Sequence, residues 1–193
     1  MRNKNKAVWG TRFNNSTSKV FEKIGASIDI DKRLFEEDIF ASIVHTKMLI
    51  KQKIINKKTG IKIINGLKQI RNEIRKNKFK FDKKYEDIHL NIEKRLFEII
   101  GEKAGYLHIA RSRNDQVITD FKLWIKKSSN EIIKSINDLI NSLLKKSENN
   151  INTIMPGFTH LKNAQPISFS HYLLAYVEMF KRDKKRFCDN INY

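Results

Sequence analysis

The sequence predicts an all-α protein: an N-terminal helical domain over residues 1–111, then, over 112–193, the first long helices of a helical bundle. Three observations carry that prediction. Apolar residues recur near the 3.6-residue helical period in segment after segment, and no stretch alternates apolar and polar residues as a half-buried strand would. Only two Pro and seven Gly occur in 193 residues, which suits long helices and few tight turns. Hydrophobic residues make up 40% of the chain, a globular composition with enough apolar side chains for a core.

The elements follow in order. Residues 1–15 hold Trp9-Gly10-Thr11-Arg12-Phe13, an arm with no helical period. A short helix runs from Ser16 to about Gly25, with Val20, Phe21 and Ile24 as its apolar positions. Ser27-Ile28-Asp29 follows, and Asp29 or Asp31 can cap the next helix. That helix places Leu34, Phe35, Ile39, Ile43, Met48 and Leu49 on one side and is expected to stop by Thr59-Gly60. A third helix covers about 61–77 through Ile63, Ile64, Leu67, Ile70 and Ile74. Phe79-Lys80-Phe81 reads as an extended link, and Asp82 to Glu86 as acids at a helix start. A fourth helix then runs to about Ile100. Gly101 and Gly105 mark a hinge or domain boundary. Ser112 or Asn114 can cap the longest helix, which carries Val117, Phe121, Trp124, Ile125, Ile132, Ile136, Leu139, Ile140 and Leu143 to about Asn149. Some 36 residues at 1.5 Å each span about 50 Å, and so long a one-sided helix suits a bundle between subunits. A last helix follows Pro166, through Phe169, Leu173, Leu174, Val177 and Phe180, and turns basic at Lys181 to Arg186.

Composition excludes several functions. No apolar run approaches 18 residues, so no membrane span is expected, and the basic N-terminus lacks the apolar core of a secretory signal. The single Cys188 rules out an internal disulfide and a Cys-rich metal site, and reads as a bystander thiol. The net charge of +18 raises nucleic acid or another anionic partner as an alternative to enzyme function. Lys is spread through every segment beside abundant Ile and Asn, so a chain-wide compositional bias accounts for the charge better.

Four polar clusters stand at or near helix heads: Ser27 with Asp29, Asp87 with His89, Ser112 to Gln116, and the loop Gly157 to Pro166 with Thr159-His160. Helix heads offer unpaired N–H groups and a favourable dipole to an anion. Hydroxyls and amides donate, Arg neutralises, and His moves a proton near pH 7. Taken singly, Ser27, Asp29, Asp87 and Ser112 read as plain caps or first-turn charges and His89 as a surface His. Taken together they fit a dicarboxylate site.

Their wording resembles the argininosuccinate lyases of the fumarase/aspartase superfamily. The matching pieces are WGTRF at 9–13, ASID at 26–29, EDIHLNIE at 86–93, HIARSRNDQV at 108–117 and GFTHLKNAQPISFSHYLLAY at 157–176. The resemblance implies an all-α, cytoplasmic homotetramer that needs no cofactor and no metal. It implies an elimination that splits argininosuccinate into arginine and fumarate through a carbanion held as an aci-carboxylate, in sites built from three subunits. Carried over residue by residue, His160 matches the catalytic proton-transfer His. Ser27, Asn114 and Thr159 match substrate binders, and Arg113 is expected to meet a carboxylate. Asp87 and His89 match a wall near the substrate, and Gln165 orients the loop. Thr11 stands where the family has Gly, and Tyr106 and Ile109 stand where Lys and Thr are more usual. Residues 1–193 contain no match to the family's GSSxMPxKxN loop with its catalytic Ser. The 193 residues alone are therefore expected to be inactive and to expose apolar stripes.

Overall fold

The structure, a computed structural model, describes residues 18–191. Trp9–Phe13, Thr11 included, lies outside the described residues. The chain forms two compact units that divide between Lys122 and Leu123, within the longest helix.

Among the described residues, the regular elements of the first unit are all helices. Helix α1 spans Lys19–Gly25, α2 Ile28–Asp31, α3 Phe35–Lys51, α4 Lys57–Arg75 and α5 Ile88–Ile100, and the first turns of α6 (Arg113–Glu148) complete it. Three short 3₁₀ helices, Lys32–Leu34, Lys83–Tyr85 and Gly101–His108, connect them. Periodicity decides what is inside. On α4, Ile63, Leu67, Ile70 and Ile74 recur at three- and four-residue steps and are buried; on α5, Ile88, Ile92 and Leu96 do the same. With Ile39, Leu49 and Leu107 they form one core, each fully buried side chain contributing about 1.5–3 kcal/mol.

Local signals fix the ends. Asn56 caps α4 by accepting from the Thr59 N–H at 2.8 Å, and Asp87 caps α5 by accepting from the Leu90 N–H at 2.6 Å. Each such cap contributes about 1 kcal/mol. Helix α5 ends at Gly101, whose φ of 69° a side chain would oppose. Helix α3 stops at Lys51, well before the expected break at Thr59-Gly60. Those two residues instead belong to the first turns of α4, where Gly60 packs on the Ile50 side chain. Phe79 and Phe81 lie in a link without regular secondary structure, and their rings meet at 4.9 Å over the core. The glycine-bearing stretch after Ile100 is a packed 3₁₀ helix, with Ala104 and Leu107 buried, rather than an open hinge.

The second unit holds the rest of α6, a β-hairpin and α7 (Phe169–Ile191). The hairpin corrects the reading that no strand is present. Strands β1 (Ile154–Thr159) and β2 (Lys162–Ser168) pair antiparallel, with Thr159 opposite Lys162 and a register shift between Pro156 and Phe158. Both strands are exposed over most of their length, so neither carries the apolar alternation that would betray it. Gly157 sits at the shift, where a Cβ would lie 2.8 Å from the Gln165 carbonyl oxygen. Helix α7 begins three residues after Pro166, and the Ser147 and Ser170 hydroxyls, 2.6 Å apart, link α6 to it. On α6 the stripe expected to be core is largely uncovered: Ile140 is buried, while Phe121, Ile125, Ile132 and Leu139 are exposed.

Candidate functional site

The starts of α2 and α5 are stitched together by polar groups. The backbone N–H groups of Ser27 and Ile28 both donate to the Glu86 carbonyl, at 2.9 and 3.0 Å. The Ser27 hydroxyl donates to Asp31 Oδ2 at 2.6 Å, and Asp31 Oδ1 accepts from the Ile88 N–H at 3.1 Å. Asp31 therefore serves the head of α5 rather than capping its own helix. Burial, offset in part by the Ser27 hydroxyl, raises its pKa. Asp29 lies outside this knot, exposed, in an ion pair with Lys83 at 2.5 Å.

The head of α6 abuts the head of α5. Ser112 Oγ accepts from the Asn114 N–H at 3.2 Å, so Ser112 rather than Asn114 makes the cap. Arg113 is the hub. Its Nε lies 4.0 Å from Asp87 Oδ2, its Nη2 lies 3.0 Å from Glu93 Oε1, and its Nη1 donates to Gln116 Oε1 at 2.8 Å. His108 Nε2 lies 3.4 Å from the same Glu93 oxygen. Asn114 is exposed beside Arg113. A cavity of about 250 Å³ opens along this edge, lined by Tyr85, Leu90, Glu93, Phe97 and His108 among others. Hydroxyl, amide and guanidinium thus stand at adjoining helix heads, a donor set suited to an anion.

Beneath the hub lies a buried cluster. Asp38 on α3, His89 on α5 and Asp120 on α6 are each at most 1% exposed. His89 Nδ1 is 3.1 Å from Asp38 Oδ1 and 3.5 Å from Asp120 Oδ2. The Gln116 amide nitrogen donates to Asp38. Burial alone would raise the Asp38 pKa, but the hydrogen bond and charge of His89, the Gln116 amide and the Arg111 charge hold it below the usual carboxylate range. Asp120 goes the other way, pushed up to about 8 by burial first and by the Asp38 charge second. Burial lowers the Arg111 pKa, against the pull of Asp38, Glu93 and Asp120; its Nη1 donates to Ser42 Oγ at 2.9 Å. The three ligand-type atoms lie within 4.8 Å of one another, close enough for a cation. The Arg111 guanidinium already supplies the countercharge that a cation would bring.

The site residues expected from sequence thus fall in two places. Ser27, Asp87, Arg113 and Asn114 share the adjoining heads of α2, α5 and α6. His89 is no surface residue; it is 1% exposed, under those heads rather than among them. Thr159, His160 and Gln165 are exposed on the hairpin of the second unit. The expectation that Thr159-His160 heads a helix gives way to a hairpin tip: His160 and Leu161 are the two turn residues, at φ 51° and 62°. Both residues at positive φ make the primed turn that matches strand twist, a conformation usually left to Asn-Gly. Ile109 packs on the core and its carbonyl lies 3.0 Å from His45 Nε2, while Tyr106 is 47% exposed. The expectations from sequence missed Asp38, Glu93, Arg111 and Asp120. A signal existed on α3, where Asp38, Ser42 and Thr46 recur every four residues and are all buried.

A protein-family model described as "Lyase" matches residues 11–192. The argininosuccinate lyase of Pelagibacter ubique is 62% identical over 192 residues, which are 99% of this chain and 42% of that protein. The argininosuccinate lyase of Bartonella bacilliformis is 50% identical over 184 residues, 95% of this chain and 40% of that protein. Among solved structures, the crystal structure of EDDS lyase in complex with formate has a TM-score of 0.72 at 25% identity, covering 87% of this chain and 32% of that one. The chain thus spans about two fifths of the length of the curated relatives it matches.

Proposed function

The chain belongs to the Lyase family, and from that premise we propose that it forms the N-terminal share of an argininosuccinate lyase, which splits argininosuccinate into arginine and fumarate. One observation carries the reading: 62% identity to the argininosuccinate lyase of Pelagibacter ubique over almost the whole chain. The geometry at the heads of α2, α5 and α6 agrees with it.

In this reading Arg113, together with Ser27 and Asn114, binds the succinate carboxylates of the substrate, and Thr159 donates a hydrogen bond from the hairpin. A proton leaves the carbon next to one carboxylate. The electron pair is held on that carboxylate as an aci-carboxylate, then forms the fumarate double bond as the C–N bond breaks. The departing guanidinium nitrogen regains a proton, so arginine leaves intact. Donors preplaced around a carboxylate favour the intermediate over the ground state. His160 moves a proton in this cycle, Gln165 orients its hairpin, Asp87 walls the site, and His89 supports that wall from beneath. The same reading takes residues 1–111 as the N-terminal domain and 112–193 as the start of the bundle domain. It places the enzyme in the cytoplasm as a homotetramer, with sites shared by three subunits and neither metal nor cofactor.

The test joins residues 1–192 to the remaining part of the Pelagibacter ubique relative and follows fumarate by ultraviolet absorbance. The fusion is expected to turn over argininosuccinate, and His160→Asn to lower kcat by about 10²–10⁴-fold. The 193 residues alone are expected to release no fumarate. A folded fusion without turnover, or a His160→Asn variant within about twofold of the parent, would sink the reading.

A further inference from the structure

We propose that Gln116 is a positioning residue. Its side chain carries the fixed geometry of the buried Asp38–His89–Asp120 cluster up to the Arg113 guanidinium, so that Arg113 meets a substrate carboxylate in one orientation. The inference rests on the lyase reading of Arg113 and adds to it a residue that does not itself touch substrate.

Gln116 sits one turn beyond Arg113 on α6 and is 4% exposed. Its amide has two unlike ends, and each meets the partner it suits. Oε1 accepts from Arg113 Nη1 at 2.8 Å, and Nε2 donates to Asp38 Oδ1. The flipped amide would turn its NH₂ toward a guanidinium and its carbonyl toward a carboxylate, so both contacts would become repulsive. The two partners therefore fix the amide. Asp38 is fixed in turn: it is 1% exposed on α3, and its Oδ1 also faces His89 Nδ1 at 3.1 Å from α5. Asp120 faces the same imidazole nitrogen from α6. Three helices thus hold the base of the relay.

At the upper end, the Arg113 fork has five donors in one plane. Gln116 engages Nη1, and Glu93 lies 3.0 Å from Nη2. Each of these nitrogens keeps a second N–H, and a carboxylate would take those. Glu93 and Asp87 attract the guanidinium as charges, neither through a well-aligned hydrogen bond, and they alone would leave the plane free to swing. With Gln116 on the other arm the plane is set before substrate arrives, and preorganised donors bind more tightly than ones that must be ordered on binding.

The experiment uses the fusion described above and compares three variants. Gln116→Met keeps the size and removes both polar ends. Gln116→Glu keeps an acceptor for Arg113 but sets a carboxylate against Asp38, and it serves if the Met variant does not fold. Arg113→Met removes the fork. Arg113→Met is expected to raise KM at least a hundredfold. Gln116→Met and Gln116→Glu are each expected to raise KM about tenfold with kcat within about threefold, because orientation of a binding group is lost while the proton-transfer groups stay. On an Arg113→Met background the Gln116→Met change is expected to add less than about twofold. A merely structural Gln116 would lower the active fraction, and so kcat, at unchanged KM. KM within about twofold of the parent in both Gln116 variants, with Arg113→Met raising it, overturns the relay and leaves the lyase reading standing. An unchanged KM in Arg113→Met, or a parent fusion without turnover, overturns both.

Discussion

Asp120 is an acid whose surroundings, more than its own chemistry, decide its charge. It is 0% exposed, and among the described residues neither of its carboxylate oxygens finds a well-formed hydrogen bond. Glu37 and Asp38 face it from α3 as acids, His89 faces it from α5, and Arg111 brings a fixed positive charge. Three buried carboxylates, Glu37, Asp38 and Asp120, beside His89 and Arg111 favour a proton retained on one of them, and Asp120, pushed up to about 8, retains it. Its folded pKa exceeds its unfolded value, so the folded state binds the extra proton. That contribution to stability is complete below about pH 4 and is lost as pH rises through about 8. Asp38 acts oppositely, because its lowered pKa withdraws stability only in acid. Asp120→Asn mimics the protonated acid. The variant is expected to melt close to the parent at pH 4 and to gain on it as pH rises toward 8, reaching an advantage of about 5 kcal/mol at pH 9. Thermal unfolding followed by circular dichroism across that range decides it; parallel curves for parent and variant would show that Asp120 is ionised throughout.

At the scale of elements, close packing decides between two effects of glycine. Gly66 lies within α4, where Ala is favoured over Gly by about 1 kcal/mol. A Cβ there would lie 2.6 Å from Leu96 Cδ1, on a side chain that is itself fully buried, and overpacking of a core costs about 1–3 kcal/mol. The clash wins: Gly66→Ala is expected to destabilise by about 1 kcal/mol net. Gly105 has nothing within 4 Å of its Cβ position, and Gly105→Ala is expected to stay within about 0.5 kcal/mol of the parent. Urea unfolding of both variants tests the contrast, and equal midpoints would refute it. The same packing explains what was legible in the sequence. The helices were, because Ile63, Leu67, Ile70 and Ile74 repeat at the period of an α-helix and lie inside. The end of α3 was misplaced because Thr59-Gly60 looks like a stop, whereas Asn56 starts a helix there and Gly60 lets α4 close on Ile50. The hairpin was hidden because a strand exposed on both faces has no pattern to read. The Arg113 hub was half legible. Ser112 to Gln116 lie together in sequence, but Asp38 comes from 78 residues before Gln116, and only folding brings them together.

The whole molecule sets charge against an apolar seam. A net charge of +18 opposes association between copies, and that repulsion is screened over about 8–10 Å at physiological salt. On the part of α6 in the second unit, Ile125, Ile132 and Leu139 recur every seven residues and are all 41–42% exposed. A heptad of β-branched and Leu side chains is the seam by which one long helix packs into another. Burial of an apolar side chain does not weaken with salt, whereas repulsion between Lys side chains does. The 193-residue chain is therefore expected to self-associate, and more strongly at 0.5 M than at about 0.05 M salt. Ile125→Lys with Ile132→Lys places charge in the centre of the seam and is expected to shift the population to monomer at both salt concentrations. Sedimentation velocity reads the outcome directly. A parent monomeric at both salts would mean that the seam is not an interface in this chain. Association that weakens as salt rises would mean that ionic contacts, not the heptad, hold the copies together.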